Sequence, residues 1–251
     1  MATSENYENL PPSTTWDLGT VVHCIGMTCN KLCFVKYLDT GTGEKQPRIY
    51  VTDGSSSVGP LENSTVPPTH FIVDMKVYYK CVHILKRPKN CPVGTHEETI
   101  DEVVVIKAVE EEEIFSISVP QKLKHEDTVT MAVGRARLFV LDTRNSRILG
   151  YSYNKQRKSI TKLRGPLAYD SDMHLLSSGM DNIVFVEKNL VIYAVKVTGS
   201  AIMWKLNISA PGHFQCYHDV GIHLEEETRM VGIVNTSTGD FELRIRLYLR
   251  E

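Results

Sequence analysis

Long apolar runs are missing from this sequence, because no stretch approaches the roughly 20 consecutive apolar residues that a membrane-spanning helix needs. The first six residues also lack the basic start and the apolar run of a secretory signal. We therefore expect a soluble, intracellular protein that has no membrane partner.

Signatures of catalysis are missing as well. The sequence contains none of the motifs G-x-S-x-G, G-x-x-x-x-G-K-S/T, H-E-x-x-H and G-x-G-x-x-G. Residues 39–43, Asp-Thr-Gly-Thr-Gly, have the letters of an aspartic-protease signature, but no second such motif is present, so they predict a hairpin turn. Since no acid, base and nucleophile converge, we predict a protein that is not an enzyme and that uses no cofactor.

Regular spacing is absent from the six cysteines, and nothing indicates an oxidising compartment, so free thiols are expected rather than disulfides. Cys29 and Cys33 are separated by three residues, but no second pair follows at the spacing of a zinc ribbon. Further candidate ligands lie close together near the C-terminus: His213, Cys216, His218 and His223. Loop histidines and one packed thiol are the favoured interpretation, so we predict no metal site.

The composition is that of a globular protein, with 42% hydrophobic and 23% charged residues. The net charge of -2 excludes a uniformly basic surface, so any affinity for nucleic acid has to come from local patches. Residues 1–15 are polar and contain Pro11-Pro12, which predicts a flexible tail before ordered structure begins near Trp16.

The first half of the chain has the pattern of an antiparallel β barrel or sandwich. Short β-branched and aromatic runs alternate with Gly, Pro, Asp and Ser clusters, and they predict five strands at residues 19–27, 32–38, 48–52, 71–85 and 103–109. The alternation in the fourth strand changes parity, which a bulge near Cys81 would explain. Five strands joined in this way fit an oligonucleotide/oligosaccharide-binding (OB) barrel.

The second half, residues 129–251, also favours β structure because no helical period persists. Three hairpins are predicted: 138–142 with 148–153, 183–187 with 190–197, and 230–234 with 241–249. A polar joint at residues 119–128 precedes this half. A second OB barrel and a fragment of a propeller-like meander both fit, and about 120 residues are too few for a closed propeller.

Charge is distributed unevenly along the chain. Residues 74–96 contain five Lys or Arg and one acid, and residues 131–164 contain nine Lys or Arg and one acid. Tyrosine and phenylalanine side chains interleave with both patches, a combination typical of proteins that hold single-stranded nucleic acid. The acids are clustered between Glu97 and Glu113, where they would repel phosphate or dock a basic partner.

Residues 19–26, Gly-Thr-Val-Val-His-Cys-Ile-Gly, resemble the opening strand of the telomere end-binding OB domains of the protection-of-telomeres family. Residues 34–39, 48–51 and 74–79 are similar to the family's later strands in the same order. The resemblance covers about residues 16–115. It implies an all-β protein with an N-terminal OB-fold barrel at 16–118, a linker at 119–128 and a second antiparallel β domain of uncertain topology at 129–251.

The resemblance also implies a function: binding of the G-rich single-stranded telomeric overhang, which would cap or protect chromosome ends in the nucleus without catalysis. By strand position, the residues that fall in the family's groove are Lys36, Tyr37, Arg48, Tyr50, Tyr78, Lys80, His83, Lys86, Arg87 and Lys89. Side-chain alternation supports one of them independently, because an inward Ile49 places Tyr50 on the outer face.

Two alternatives remain for the function: a β-barrel protein-interaction module, and a general single-stranded nucleic-acid-binding protein. The C-terminal domain is expected to bind a protein partner or to self-associate through its basic strip. The base preference, the choice between DNA and RNA, and the oligomeric state do not follow from the sequence.

Overall fold

The protein is an all-β molecule, as expected. The computed structural model describes residues 23–246 except 29–30, 40–44, 53–58, 61–65, 68, 79–80, 90–96, 108–112, 124–128, 135–136, 154–156, 180–181, 211, 218–219 and 226–229. Among these residues there is no helix with the length and apolar character needed to cross a membrane.

In the described part of the chain, twenty strands form five antiparallel sheets of four strands each, and every sheet is built from four strands that are consecutive in the chain. Sheet 1 contains β1 (His23–Thr28), β2 (Lys31–Asp39), β3 (Lys45–Thr52) and β4 (Gly59–Pro60). Sheet 2 contains β5 (His70–Tyr78), β6 (Cys81–Pro88), β7 (Glu97–Lys107) and β8 (Glu113–Leu123). Sheet 3 contains β9 (Met131–Val133), β10 (Arg137–Asp142), β11 (Arg147–Ser152) and β12 (Arg157–Lys162). Sheet 4 contains β13 (His174–Ser178), β14 (Ile183–Lys188), β15 (Val191–Lys196) and β16 (Ala201–Asn207). Sheet 5 contains β17 (Gly212–Tyr217), β18 (Val220–Glu225), β19 (Met230–Asn235) and β20 (Phe241–Arg246).

The first strands of the five sheets lie next to one another in order. β1 contacts β5, β5 contacts β9, β9 contacts β13, and β13 contacts β17. The remaining strands of each sheet extend outward from this inner row as up-and-down meanders. Radial repetition of four-stranded meanders is the architecture of a β-propeller. The expected OB-fold barrel followed by a second domain is therefore wrong.

The observed strand pairing explains why the prediction of an OB barrel is wrong. The expected fourth strand, residues 71–85, is a hairpin in which Tyr78 at the end of β5 pairs with Cys81 at the start of β6. The change of parity near Cys81 comes from this reversal of the chain, and not from a bulge. As a result β1, β2 and β3 complete their own sheet with β4 instead of closing a barrel with later strands.

The second half follows the propeller-like alternative. All three expected hairpins are confirmed, as β10 with β11, β14 with β15 and β19 with β20. The expected domain boundary between residues 118 and 119 falls inside β8, and the expected linker begins in that strand. One apolar cluster extends from Leu85 to Val197 across this position.

The hydrophobic core lies between neighbouring sheets. Ile49 of sheet 1 and Ile84 of sheet 2 belong to one buried cluster. Phe115 of sheet 2 and Phe139 of sheet 3 belong to another. Central strands are covered on both faces, so β14 is buried at all six positions. This double burial explains the nearly continuous apolar runs in the sequence.

A buried polar network joins sheets 2 and 3. The side-chain amide of Gln121 donates a hydrogen bond to Leu141 O (2.8 Å) and accepts from Thr143 N (3.1 Å) and Thr143 Oγ1 (2.7 Å). Thr143 Oγ1 in turn accepts from Lys122 N (2.9 Å). Because Gln121 and Thr143 are buried, these bonds satisfy polar groups that water cannot reach.

A second polar contact crosses the same joint. Tyr153 Oη donates to Gly134 O (3.0 Å), so the Nε2–H of His83, 3.2 Å from the same hydroxyl, has to donate to it in the neutral ring. His83 is fully buried. Burial lowers the pKa of His83 to about 4, because a charged imidazolium would lose its hydration in this joint.

Gln121→Leu should lower the free energy of unfolding by about 2–4 kcal/mol, because it leaves several buried backbone and hydroxyl groups without partners. Chemical denaturation monitored by circular dichroism measures the change. Lys122→Ala, at the exposed neighbouring side chain, is the matched control and should stay within about 0.5 kcal/mol of the parent. Equal stabilities of the two variants would contradict a stabilising role for the Gln121 network.

His83→Gln should flatten the acid limb of the stability curve. The folded pKa of about 4 lies below the ordinary value of 6.5, so only the unfolded chain takes up this proton between these pH values. The parent should therefore lose up to about 3 kcal/mol at this residue as the pH falls from 6.5 to 4. Unfolding titrations of both proteins at pH 7.5 and 4.5 measure the difference, and parallel curves would show that His83 is not buried as the neutral form.

Candidate functional site

The expected groove residues of sheet 1 occupy neighbouring strands. Lys36 of β2 pairs in register with Arg48 of β3, and Tyr37 is the next residue along β2. Ile49 is buried between half-buried Arg48 and Tyr50, as the alternation predicts. The side chains of Lys36, Tyr37 and Lys80 lie outside the described residues.

The expected groove residues of sheet 2 are mostly engaged within the fold. Arg87 is fully buried and makes two hydrogen bonds to Asp101, from Nε to Oδ1 (2.8 Å) and from Nη2 to Oδ2 (2.9 Å). Its guanidinium carbon also lies 5.9 Å from the centre of the Phe71 ring. Lys86 forms an ion pair with Glu102 (3.0 Å). Burial raises the pKa of Asp101, and the bonds from Arg87 oppose this shift.

The other members of the expected groove are dispersed. Tyr78 packs against the apolar cluster between sheets, His83 lies in the joint between sheets 2 and 3, and Lys89 is exposed. The ten expected groove residues would share one groove only in an OB barrel, which would bring their strands together. Since the strands pair into separate sheets, that basis for a nucleic-acid groove is lost.

The clustered acids and bases of the sequence neutralise each other in part. Besides the pairs made by Arg87 and Lys86, Arg144 of sheet 3 forms an ion pair with Glu98 of sheet 2 (3.0 Å). The first two pairs lie within sheet 2, and the third joins sheets 2 and 3.

The candidate metal ligands near the C-terminus do not form a site in the part of the chain that is described. No group of three or more His, Cys, Asp or Glu residues there could hold a metal ion. Cys216 is a free thiol whose pKa burial raises to about 12, and His223 is buried beside the Phe214 ring. The side chains of His213 and His218, and those of Cys29 and Cys33, lie outside the described residues.

Charged residues also occur on the inner row of strands. Asp74 Oδ2 accepts a hydrogen bond from Met131 N (2.9 Å), and Asp74 Oδ1 lies 3.8 Å from Lys76 Nζ. Burial lowers the pKa of His174, while the carboxylates of Asp172 and Asp74 act in the opposite direction. The hydrogen bond from Met131 makes Asp74 a tie between sheets 2 and 3.

One end of sheets 3 and 4 presents four connected segments. In a four-stranded meander, the second turn and the segment leading to the next sheet lie at the same end. For sheets 3 and 4 these segments are residues 143–146, 163–173, 189–190 and 208–210. We call them the turn face.

Hydrogen bonds hold the first turn of the turn face in place. The buried Asp142 carboxylate accepts bonds from Asn145 N (3.0 Å) and Arg147 Nε (2.6 Å). Leu163 N then donates to Ser146 O (2.9 Å), which ties the long segment 163–173 to the turn. The turn side chains of Arg144 and Asn145 are exposed at this end.

Lys188 connects the long segment to sheet 4. Its Nζ contacts Asp170 Oδ2 (2.6 Å) and also donates to Ala168 O. Leu163 and Leu167 anchor the same segment in the core, whereas Arg164 between them is exposed. The segment is thus fixed at both ends by specific contacts.

Asn189 and Leu190 form the two-residue turn between β14 and β15. Both have positive φ, +52° for Asn189 and +59° for Leu190, as a type I′ hairpin turn requires. Ile208 N donates to Leu190 O (2.9 Å), so the turn is also tied to the fourth segment. The Leu190 side chain remains 41% exposed.

Leu190 was not among the residues expected to be functional. The sequence located this hairpin but placed Leu190 at the start of the second strand, because leucine favours strands over left-handed turns. The available signal was the spacing: a hairpin loop of only two residues is usually a type I′ or II′ turn, and both types need positive φ at the first loop position while type I′ needs it at the second as well.

No protein-family model matches the chain, and no curated protein sequence is significantly similar to it. Several solved structures are similar in fold. A protein of unknown function from Bacteroides caccae matches with a TM-score of 0.53 and 10% identity, over 88% of this chain and 80% of that one. A chain of the nidogen/laminin complex matches with a TM-score of 0.52 and 7% identity, over 89% and 79%. Sqt1 from Saccharomyces cerevisiae matches with a TM-score of 0.49 and 8% identity, over 86% of this chain and 59% of Sqt1.

The similar structures are β-propellers, and none of those described above is a telomere-binding OB-fold protein. The expected membership of the telomere end-binding family is therefore wrong, and with it the capping of telomeric single-stranded DNA. The expected location at chromosome ends followed from that resemblance alone and stays a prediction. This chain spans less than two thirds of the length of Sqt1. At identities of 7–10% the similarity is one of architecture, and it agrees with the topology of the five sheets: the fold is a β-propeller.

Proposed function

We propose that this β-propeller is a non-catalytic protein-interaction module that binds a partner protein through its turn face. The observation that carries the proposal is Leu190, an exposed apolar side chain at the tip of a turn whose backbone is left-handed there.

A left-handed backbone is costly for leucine. The conformation brings Cβ close to the following carbonyl oxygen, which costs roughly 1–2 kcal/mol for a residue other than Gly, Asn or Asp. Type I′ turns therefore usually carry Asn-Gly, and Asn189 fits its position whereas Leu190 does not. Unfavourable backbone conformations of this kind concentrate at functional sites, where another requirement outweighs them.

Contact with a partner supplies such a requirement. Covering the exposed part of Leu190 with an apolar pocket would stabilise the complex, because apolar surface leaves water. The neighbouring segment 163–173 adds an exposed arginine, Arg164, which suits a polar rim around a buried anchor. A partner with an apolar pocket and nearby carboxylates fits this surface.

The described ionisable groups support a role other than catalysis. The residues with the largest pKa shifts, His83, Tyr153 and Cys216, lie between sheets instead of in an open cleft. The fold is compatible with protein binding, since one structure of similar fold is a chain of a complex between nidogen and laminin.

Leu190→Asn should weaken partner binding without destabilising the protein. Asparagine tolerates positive φ, so the relief of backbone strain should offset the lost packing and leave the free energy of unfolding within about 0.5 kcal/mol of the parent or above it. Loss of a central apolar anchor should weaken the complex by about tenfold or more. The measurement is quantitative affinity capture from an extract of the source cells, followed by titration of the purified partner.

Ile160→Asn is the matched control. Ile160 is 43% exposed, close to the value for Leu190, but it lies within β12 and outside the turn face. Partners that bind the turn face should be retained by Ile160→Asn and lost with Leu190→Asn. Equal recovery of every partner by the parent and by a folded Leu190→Asn variant would refute the proposed function.

A further inference from the structure

Buried carboxylates in the described part of the chain have partners, with one exception. Four of the five accept hydrogen bonds: Asp74 from Met131, Asp101 from Arg87, Asp142 from Asn145 and Arg147, and Glu225 from Ser209. The fifth is Glu187, which is 7% exposed. No described residue donates a hydrogen bond to Glu187 or forms an ion pair with it. Its carboxylate oxygens are not fully enclosed, so they still touch solvent.

Glu187 lies close to the turn that presents Leu190. It is one residue before Lys188, whose pairing with Val191 closes the two-residue turn. Since a strand rises about 3.3 Å per residue, Glu187 is about 7 Å along β14 from the first residue of that turn. The unpartnered carboxylate and the exposed Leu190 therefore belong to the same end of one hairpin.

Side-chain alternation places Glu187 on the face of sheet 4 that packs against sheet 5. Phe185, two residues earlier, lies 5.0 Å from the Phe214 ring of sheet 5, measured between centroids. Lys188 lies on the opposite face, where its Nζ contacts Asp170 Oδ2 (2.6 Å). The cation that follows Glu187 in the sequence is therefore turned away from it and paired with another acid.

The polar groups beside Glu187 do not supply a positive charge either. His174 of β13 is in register with Glu187, and burial lowers the pKa of His174, so its ring is neutral at pH 7. In the segment that leads to sheet 5, Ser209 donates its hydroxyl to Glu225 Oε1 (2.7 Å). Burial without a compensating charge raises the pKa of Glu187.

We propose that Glu187 binds an arginine side chain of the partner protein that covers Leu190. Both oxygens of the ionised carboxylate are free to accept, which suits the two parallel N–H groups of a guanidinium. Folding has already removed most of the water around Glu187, so the complex gains an ion pair without that part of the desolvation penalty. The inference rests on the proposed function and specifies the chemistry of the partner: an apolar pocket with an arginine beside it.

A small-molecule probe tests this site without the partner. N-acetyl-arginine amide is titrated into the protein, and binding is followed by NMR through the carboxyl carbon of Glu187 and the backbone amide of Lys188. The arginine compound should shift both resonances saturably and lower the apparent pKa of Glu187, because it binds the ionised form. N-acetyl-citrulline amide, a neutral molecule of nearly the same shape, is the control ligand and should do neither.

Variants of the protein identify the carboxylate that binds. Glu187→Gln should stay folded, since the amide has the shape of the acid, and should weaken binding of the arginine compound by about tenfold or more. Glu102→Gln removes a carboxylate from sheet 2 and should bind within about twofold of the parent, because distant exposed charges are screened. Equal shifts with arginine and citrulline compounds, or equal affinities of the parent and a folded Glu187→Gln variant, would overturn the proposal.

The purified partner separates this inference from the proposed function. Glu187→Gln should weaken the complex by about tenfold or more, whereas Glu102→Gln should leave it unchanged. A partner that is lost with Leu190→Asn but binds Glu187→Gln as tightly as the parent would overturn the arginine site and leave the proposed function intact. Binding of the arginine compound at Glu187, together with partners that all tolerate Leu190→Asn, would refute the proposed function and support the guanidinium site.

Discussion

Each sheet of this protein depends on its neighbours, because a four-stranded meander has two broad faces and cannot bury either of them alone. Apolar side chains between successive sheets supply most of the core, from Ile49 and Ile84 at one end to Phe185 and Phe214 at the other. Burial of apolar area is non-directional and can hold sheets together without setting their register. The arrangement of the sheets therefore needs additional, directional contacts.

Buried polar contacts fix the position of one sheet relative to its neighbour. The Gln121 side chain donates a hydrogen bond to Leu141 O and accepts one from Thr143 N in the adjacent sheet. The Asp74 carboxylate accepts a hydrogen bond from the backbone amide of Met131. If the sheets shifted, these hydrogen bonds would break and leave buried polar atoms unpaired. The free-energy penalty of a buried unpaired polar atom is larger than the net stabilisation that the intact hydrogen bond provides. The buried pair of Arg87 and Asp101 is subject to the same constraint within sheet 2, since separation would leave a charge without a partner.

The same kinds of contact fix the backbone of the turn face. The turn face is tied down by Asp142, Lys188 and backbone bonds, one of which is accepted by the carbonyl oxygen of Leu190. In the proposed function, Leu190 is therefore presented to a partner from a fixed backbone. Preorganisation of this kind reduces the entropy lost on binding.

Local patterns in the sequence determined that the chain is all-β and located three hairpins between residues 138 and 249. They also placed Ile49 inward and Tyr50 outward. These features follow from the sequence because side-chain alternation and turn chemistry depend on only a few neighbouring residues. Only the tertiary structure decided which strands pair. A closed barrel and a series of separate meanders share the same alternation. The hairpin between Tyr78 and Cys81, which distinguishes them, lies within a run of strand-forming residues that contains no glycine or proline to indicate a turn. Burial of Arg87 was equally beyond the sequence, because a basic side chain becomes internal only when a specific carboxylate, here Asp101, is brought opposite it by the fold. The left-handed backbone of Leu190 arises for the same reason: the pairing of β14 with β15 leaves two residues for the turn, and that long-range constraint overrides the local preference of leucine.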